Sequence, residues 1–76
     1  MNIEFVEQKI EMVFNVNEKY YRVSYERQEP ESNWAVRLID VSHNETLYSR
    51  TLEAIVTPDV QLAEDIVKTY IQRFCV

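Results

Sequence analysis

In two segments that have the composition of β-strands, a tyrosine stands two residues before an arginine, and a third such segment carries an arginine and an isoleucine at the same spacing. Phenol rings and guanidinium groups are enriched at the centres of protein interfaces, and aromatic side chains on a sheet can also stack against single-stranded bases. If these side chains share the sheet face that no helix covers, they form one binding surface. The candidate binding residues are Tyr20, Arg22, Arg37, Ile39, Tyr48 and Arg50.

The same arginines have an ordinary structural interpretation. Acidic residues occur on the neighbouring segments at Glu11, Glu26 and Asp40. Opposite charges facing each other across paired strands stabilise a sheet without any ligand. We give this interpretation and the interface interpretation equal weight.

Nucleophilic or metal chemistry has few residues to draw on. The chain has one histidine, His43, and one cysteine, Cys75. A metal needs three or four converging ligands, and a nucleophile needs a base held beside it. We therefore predict no catalytic residue, no bound metal, no cofactor and no enzymatic activity. A weak enzyme or metal site centred on His43 remains a third hypothesis.

Charge and glycine content exclude further classes. The 76 residues include 13 acids and 8 bases, for a net charge of -5, and no glycine. Duplex nucleic acids and anionic membranes attract basic surfaces, so we expect neither as a partner. Phosphate-binding loops need glycine, so nucleotide fingerprints are excluded. The length fits one domain, 1–76, and the absence of a signal or membrane-spanning pattern predicts a cytoplasmic location.

These observations favour a non-enzymatic protein-binding module that acts as an adaptor, regulator or inhibitor. Small acidic proteins of this kind are common among phage and mobile-element products, although that association rests on size and charge alone. The alternative function is single-stranded nucleic-acid binding on the open sheet face. Because a chain of 76 residues buries a modest core, we also expect a homodimer through an edge strand or that face.

The first element that must position the candidates is a hairpin. Apolar and polar residues alternate over residues 10–16 and again over 21–25. A turn at Asn17-Glu18 sets Phe14 opposite Tyr21 and Met12 opposite Val23, with all apolar pairs on one face. A longer loop around the same centre is the alternative, because Asn-Glu lacks the glycine that such turns prefer.

Two further strands and a helix complete the predicted fold. Residues 34–41 and 46–52 are predicted strands, and the register between them stays open. Thr57 is the predicted helix cap, Pro58 the first helical residue, and a three-and-four apolar spacing extends to Phe74. Residues 1–8 fit either a strand or a short helix, and we favour extended structure.

The sequence thus predicts an α+β fold, a four-stranded antiparallel meander with one C-terminal amphipathic helix packed on one face. The predicted core comprises the inward residues of the strands and the apolar stripe of the helix. These are Ile10, Met12, Phe14, Tyr21, Val23, Tyr25, Trp34, Val36, Leu38, Leu52, Leu62, Ile66, Tyr70 and Phe74.

Overall fold

A computed structural model describes residues 1–74 and shows one antiparallel sheet followed by one helix. The strand order is β1-β2-β3-β4, and the helix packs on one side of the sheet. This confirms the predicted ββββα fold; Cys75 lies outside the described residues. The elements are β1 (Gln8–Val16), β2 (Lys19–Arg27), β3 (Trp34–Asp40), β4 (Glu45–Leu52) and α1 (Val60–Phe74).

The first hairpin has the predicted register. Phe14 lies opposite Tyr21 and Met12 opposite Val23, so the apolar pairs share the face that α1 covers. The connection is the two-residue turn, with φ of 51° at Asn17 and 67° at Glu18. A tight hairpin turn that follows the twist of its strands needs positive φ at both positions. Pairing of the apolar face therefore outweighs the strain of placing glutamate there.

The second hairpin contains a β-bulge. Near the turn Ile39 lies opposite Thr46, but the next pair is Leu38 with Tyr48, which leaves Leu47 as an extra residue on β4. Beyond the bulge Trp34 lies opposite Leu52. Because side chains alternate between the two faces of a sheet, one extra residue exchanges the faces of all residues that follow it.

The helix begins two residues later than the sequence pattern predicts. Oδ1 of Asp59 accepts a hydrogen bond of 2.8 Å from the amide of Leu62, and the backbone oxygen of Asp59 accepts the amide of Ala63 at 3.2 Å. These are the bonds of an N-cap residue. The prediction of Thr57 as cap and Pro58 as first helical residue is therefore wrong, and both belong to the preceding loop.

The core lies between α1 and one face of the sheet, which we call the helix face. Tyr21, Val23, Tyr25, Trp34, Val36, Leu38, Leu52 and Ile66 are buried as predicted, and Ala63 and Val67 join them. Five other predicted core residues, Ile10, Met12, Phe14, Leu62 and Tyr70, are partly buried against this cluster. Phe74 is 66% exposed, so its prediction as core is wrong: it ends the helix, beyond the buried cluster.

The N-terminal segment, residues 1–7, forms neither of the elements that the sequence left open. It has no strand or helix assignment, and Ile3 and Val6 are 91% and 71% exposed. In the described chain no helix combines the length and the apolar character needed to cross a bilayer.

Candidate functional site

The six candidate binding residues do not share one face of the sheet. Tyr20, Arg22, Arg37 and Ile39 lie on the side away from α1, which we call the open face. Tyr48 and Arg50 lie opposite Leu38 and Val36, on the helix face. The prediction of one open-face surface that includes Tyr48 and Arg50 is therefore wrong.

The bulge at Leu47 is the physical reason for this correction. Regular pairing continued from Ile39 and Thr46 would have set Tyr48 opposite Arg37, on the open face. The bulge moves Tyr48 to the helix face instead. One sequence signal did point there: Arg50 and Tyr48 stand two and four residues before Leu52, so burial of Leu52 places all three on the helix face.

Three of the four candidates on the open face are buried, partly enclosed or paired within the sheet. Nε of Arg22 lies 3.5 Å from a carboxylate oxygen of Glu11, as the structural interpretation predicted. Ile39 is buried among its neighbours, and Tyr20 is half exposed. Nε of Arg37 is enclosed and has no hydrogen-bond partner in the described chain. This face thus offers few exposed groups that could be aimed at a partner.

Tyr48 and Arg50 instead border a cleft between β4 and α1, with a cavity volume of about 140 Å³. On the helix side, residues spaced three and four apart form the opposite wall, so they lie along one stripe of α1. At its C-terminal end the rings of Tyr70 and Phe74 lie 4.9 Å apart at 34°. The cleft is lined by Tyr48, Arg50, Leu62, Asp65, Ile66, Thr69, Tyr70, Arg73 and Phe74.

The β4–α1 cleft is locally cationic on an acidic protein. Its lining holds two guanidinium groups, of Arg50 and Arg73, and one carboxylate, of Asp65. Oδ1 of Asp65 accepts a hydrogen bond of 3.1 Å from Gln61. No salt bridge among the described residues involves Arg50 or Arg73. Both guanidinium groups are therefore available to an anionic group that enters the cleft.

Arg50 also acts on the core beneath it. Burial raises the pKa of the Tyr25 phenol, the charge of Asp59 adds to this rise, and Arg50 partly offsets it. The phenol donates a hydrogen bond of 3.5 Å to the backbone oxygen of Asp59. The positive charge of Arg50 therefore influences the Tyr25 phenol, which lies beside Asp59 at the start of α1.

Sequence reasoning missed the contribution of α1 to this site. Tyr70 and Phe74 were predicted as core, and neither Thr69 nor Arg73 was among the candidate binding residues. A signal was available in the sequence. Thr69 and Arg73 follow Leu62 and Asp65 at helical spacing, so all four lie along the border between the apolar and polar faces of the helix. Residues at such a border line a cleft wherever the helix does not cover the whole sheet.

His43, the centre of the third hypothesis, supports a turn. Its Nδ1 lies 3.0 Å from Oδ2 of Asp40, and Oδ1 of Asp40 accepts the amide of Ser42 at 3.0 Å. Lys19 lies 3.5 Å from the same carboxylate. The hydrogen bond from His43, with the charge of Lys19, holds the pKa of Asp40 below its ordinary value, although burial opposes this. Among residues 1–74 no three His, Cys, Asp or Glu side chains group as metal ligands.

A second hollow, of about 310 Å³, lies between the start of β1 and the loop before α1. Two of its polar side chains, Arg27 and Gln8, are engaged with each other. The guanidinium of Arg27 lies 4.1 Å from the ring centre of Trp34 and donates two hydrogen bonds, of 2.9 and 2.7 Å, to Oε1 of Gln8. This arrangement ties β1 to β2 and covers the tryptophan ring, which is a structural role.

No protein-family model, curated protein or solved structure matches this chain.

Proposed function

We propose that this protein is a non-enzymatic protein-binding module, and that it binds an extended segment carrying apolar and acidic side chains in the β4–α1 cleft. The observation that carries the proposal is the combination of an aromatic wall with two guanidinium groups that no carboxylate of the described chain neutralises. Aromatic and arginine side chains supply most of the binding energy in protein interfaces.

The dimensions of the cleft favour a peptide. Its lining runs along α1 from Leu62 to Phe74, about 18 Å at the rise of an α-helix. An extended chain covers that length with about five residues. The neighbouring strand β4 is an edge strand, so its outer backbone groups can pair with such a segment while alternate side chains enter the cleft.

Charge gives the direction of selectivity. The chain as a whole carries a net charge of -5, yet two cations and one carboxylate line the cleft. A basic segment is repelled by the guanidinium groups, and a purely apolar one leaves them without a counter-charge. A segment that combines acidic residues with aromatic or aliphatic ones satisfies both the guanidinium groups and the aromatic wall.

The alternative function, single-stranded nucleic-acid binding, required Tyr20 and Tyr48 to stack bases on one face. The two rings lie on opposite faces of the sheet, so this platform is not formed. Arg22, the cation next to Tyr20, is paired with Glu11. No feature of the open face favours this alternative over peptide binding.

A displayed library of random peptides tests the proposal. We expect the wild-type chain to select sequences that combine aspartate or glutamate with aromatic or aliphatic residues. Fluorescence anisotropy should then show affinity reduced at least about tenfold in the double variant Arg50→Glu, Arg73→Glu, because two favourable charge contacts become repulsive.

The matched control is the double variant Lys9→Glu, Lys68→Glu, which makes the same charge change at two exposed cations outside the cleft. It should bind the selected peptides as the wild type does. Equal loss in both variants, or a preference for basic peptides, contradicts the proposal. Binding of a labelled single-stranded oligonucleotide at low salt that is lost on reversal of Arg22 and Arg37 supports the alternative instead.

The roles of adaptor, regulator or inhibitor are all consistent with a module of this type. The origin in a phage or mobile element and the cytoplasmic location stay predictions from the sequence.

A further inference from the structure

We infer that the β4–α1 cleft is occupied by residues 1–7 of a second copy of this chain, so that two copies exchange their N-terminal segments. This inference rests on the proposed function, because it names an occupant for the same cleft. It also gives a specific contact for the homodimer that the sequence predicts.

The N-terminal segment has the chemistry that the cleft selects. Its sequence, Met-Asn-Ile-Glu-Phe-Val-Glu, alternates apolar and polar residues up to Phe5 and carries two acids, Glu4 and Glu7. Ile3 is 91% exposed, and Phe5 and Val6 are exposed as well. A run of exposed apolar side chains in one short segment marks a surface that binds another.

The spacing of these residues matches strand addition. In an extended segment Ile3, Phe5 and Glu7 point to the same side. Pairing along the free edge of β4 can direct these three side chains towards the helix face. The apolar pair can then meet the lining formed by Tyr48, Leu62, Tyr70 and Phe74, and Glu7 can meet one of the two guanidinium groups of the cleft.

The topology favours exchange between two copies over closure within one. The segment leaves the sheet at Gln8 on β1, the edge strand farthest from β4. The helix packs against β1 and β2 on the intervening part of the helix face. The molecule is 51 Å along its longest axis, whereas a strand of nine residues spans about 30 Å. Within one copy the segment would have to pass the helix to reach the cleft, whereas the β4 edge of a neighbouring copy is open to it.

Reciprocal exchange produces a closed dimer. Each copy provides one segment and one cleft, so a two-fold axis satisfies both contacts and leaves neither cleft empty. Two linked contacts also make the assembly tighter than either contact alone.

Paired charge reversals in the full-length chain test this inference. One variant carries Glu7→Arg, so the acid that the segment directs into the cleft becomes a base; the other carries Arg50→Glu and Arg73→Glu, so its cleft is acidic. In sedimentation equilibrium the wild type should dimerise to twice its 9.1 kDa mass, and each variant alone should have a dimer dissociation constant raised at least about tenfold. An equimolar mixture should form a heterodimer, because both of its contacts are again between opposite charges.

Restoration by mixing separates an exchanged contact from a folding defect, since a misfolded chain does not regain a partner. Ile3→Ser should weaken the dimer, and Ile55→Ser, at a similarly exposed isoleucine that lies in the loop before α1, should not. A wild-type dimer that neither reversal nor Ile3→Ser weakens forms through another surface and overturns the inference, as does a wild-type monomer.

Failure of this inference is distinguishable from failure of the proposed function. If the wild type is a monomer while selected peptides still bind in a manner dependent on Arg50 and Arg73, the cleft binds a different protein and only the exchange is overturned. If the dimer forms and mixing restores it, added selected peptide should dissociate it by competing for the cleft. A dimer that excess bound peptide does not dissociate contradicts the shared site.

Discussion

The two faces of the sheet use the same residue types for different purposes. On the open face Arg22 lies 3.5 Å from Glu11 and Ile39 is buried among its neighbours, so the charges are used within the sheet. On the helix face Arg50 lines a cleft in which the one lining carboxylate, of Asp65, accepts a hydrogen bond from Gln61. The role of each arginine therefore depends on whether a carboxylate of a neighbouring strand lies within ion-pair distance of it. Composition alone does not distinguish the two faces.

The faces also differ in what they contribute to stability. Leu38 on the helix face is fully buried, whereas Val13 on the open face is 55% exposed. Replacing Leu38 by alanine removes buried methyl groups and leaves a cavity, so we expect a loss of about 3 kcal/mol in the free energy of unfolding. Val13→Ala should change it by less than about 0.5 kcal/mol. Urea denaturation measures both, and equal losses would break the distinction between the faces.

The helix wall of the cleft depends on the Asp59 cap. Asp59→Ala removes the acceptor of the Leu62 amide, and we expect the free energy of unfolding to fall by about 1 kcal/mol. Glu53→Ala, which removes an acid from the same loop without removing a side-chain cap, is the control. Thermal unfolding followed by circular dichroism compares them. A smaller effect for Asp59 than for Glu53 would contradict the assignment of the cap.

Asp40, which lies on the helix face, should make a pH-dependent contribution to the free energy of unfolding. Its pKa is lowered in the folded protein, so its charged form is the one that folding favours. The stability that it adds is present above its ordinary pKa of 3.8 and is lost as the pH falls through the lowered folded value. The difference in unfolding free energy between wild type and Asp40→Asn should therefore shrink from neutral pH to below about pH 3.

Asparagine keeps the Oδ1 acceptor of the Ser42 amide, so Asp40→Asn tests the charge separately from the turn. Glu45→Gln, in the same region and exposed, serves as control. A difference that stays constant throughout the acid titration would show that the carboxylate charge contributes nothing.

The open-face ion pair should have the smallest effect. Glu11→Gln removes the partner of Arg22, and because both side chains are partly exposed we expect a loss of about 0.5 kcal/mol or less. The loss should also decrease as salt is added. Chemical denaturation at low and high salt measures it. A loss comparable to that of Leu38→Ala would mean that the open face is a structural face as important as the core.

The sequence predicts the first hairpin in detail because local information determines it. Alternation on both strands selects one register, and a slip by one residue would expose every apolar side chain. The structure has that register, including the turn at Asn17-Glu18. The four strands and the helix follow from patterns of the same kind, and so does most of the core.

The second hairpin is not determined in the same way, and the site depends on it. Apolar residues occur on both faces of β3, so alternation does not select one register. The bulge at Leu47 is a tertiary compromise that keeps Leu52 opposite Trp34 while the turn keeps Ile39 opposite Thr46. No local sequence pattern predicts the position of such a bulge. Four of the six candidates were therefore placed on the correct face, and Tyr48 and Arg50 were not.

The cleft itself could be predicted only after the packing of α1 was known. Its helix wall consists of residues that border the buried stripe, and whether a border lies against the sheet depends on where the helix crosses it. The sequence gives the stripe but not the crossing position. For the same reason Phe74 reads as core, although it lies beyond the buried cluster.

A chemical-shift map tests the central claim that the cleft, and not the open face, binds the partner. A peptide selected from the displayed library is titrated into the isotope-labelled wild-type chain, and amide shifts are followed by NMR. The account predicts that the largest changes cluster at Tyr48, Thr69 and Phe74 along β4 and α1. Changes centred instead on Tyr20, Arg22 and Ile39 would contradict it.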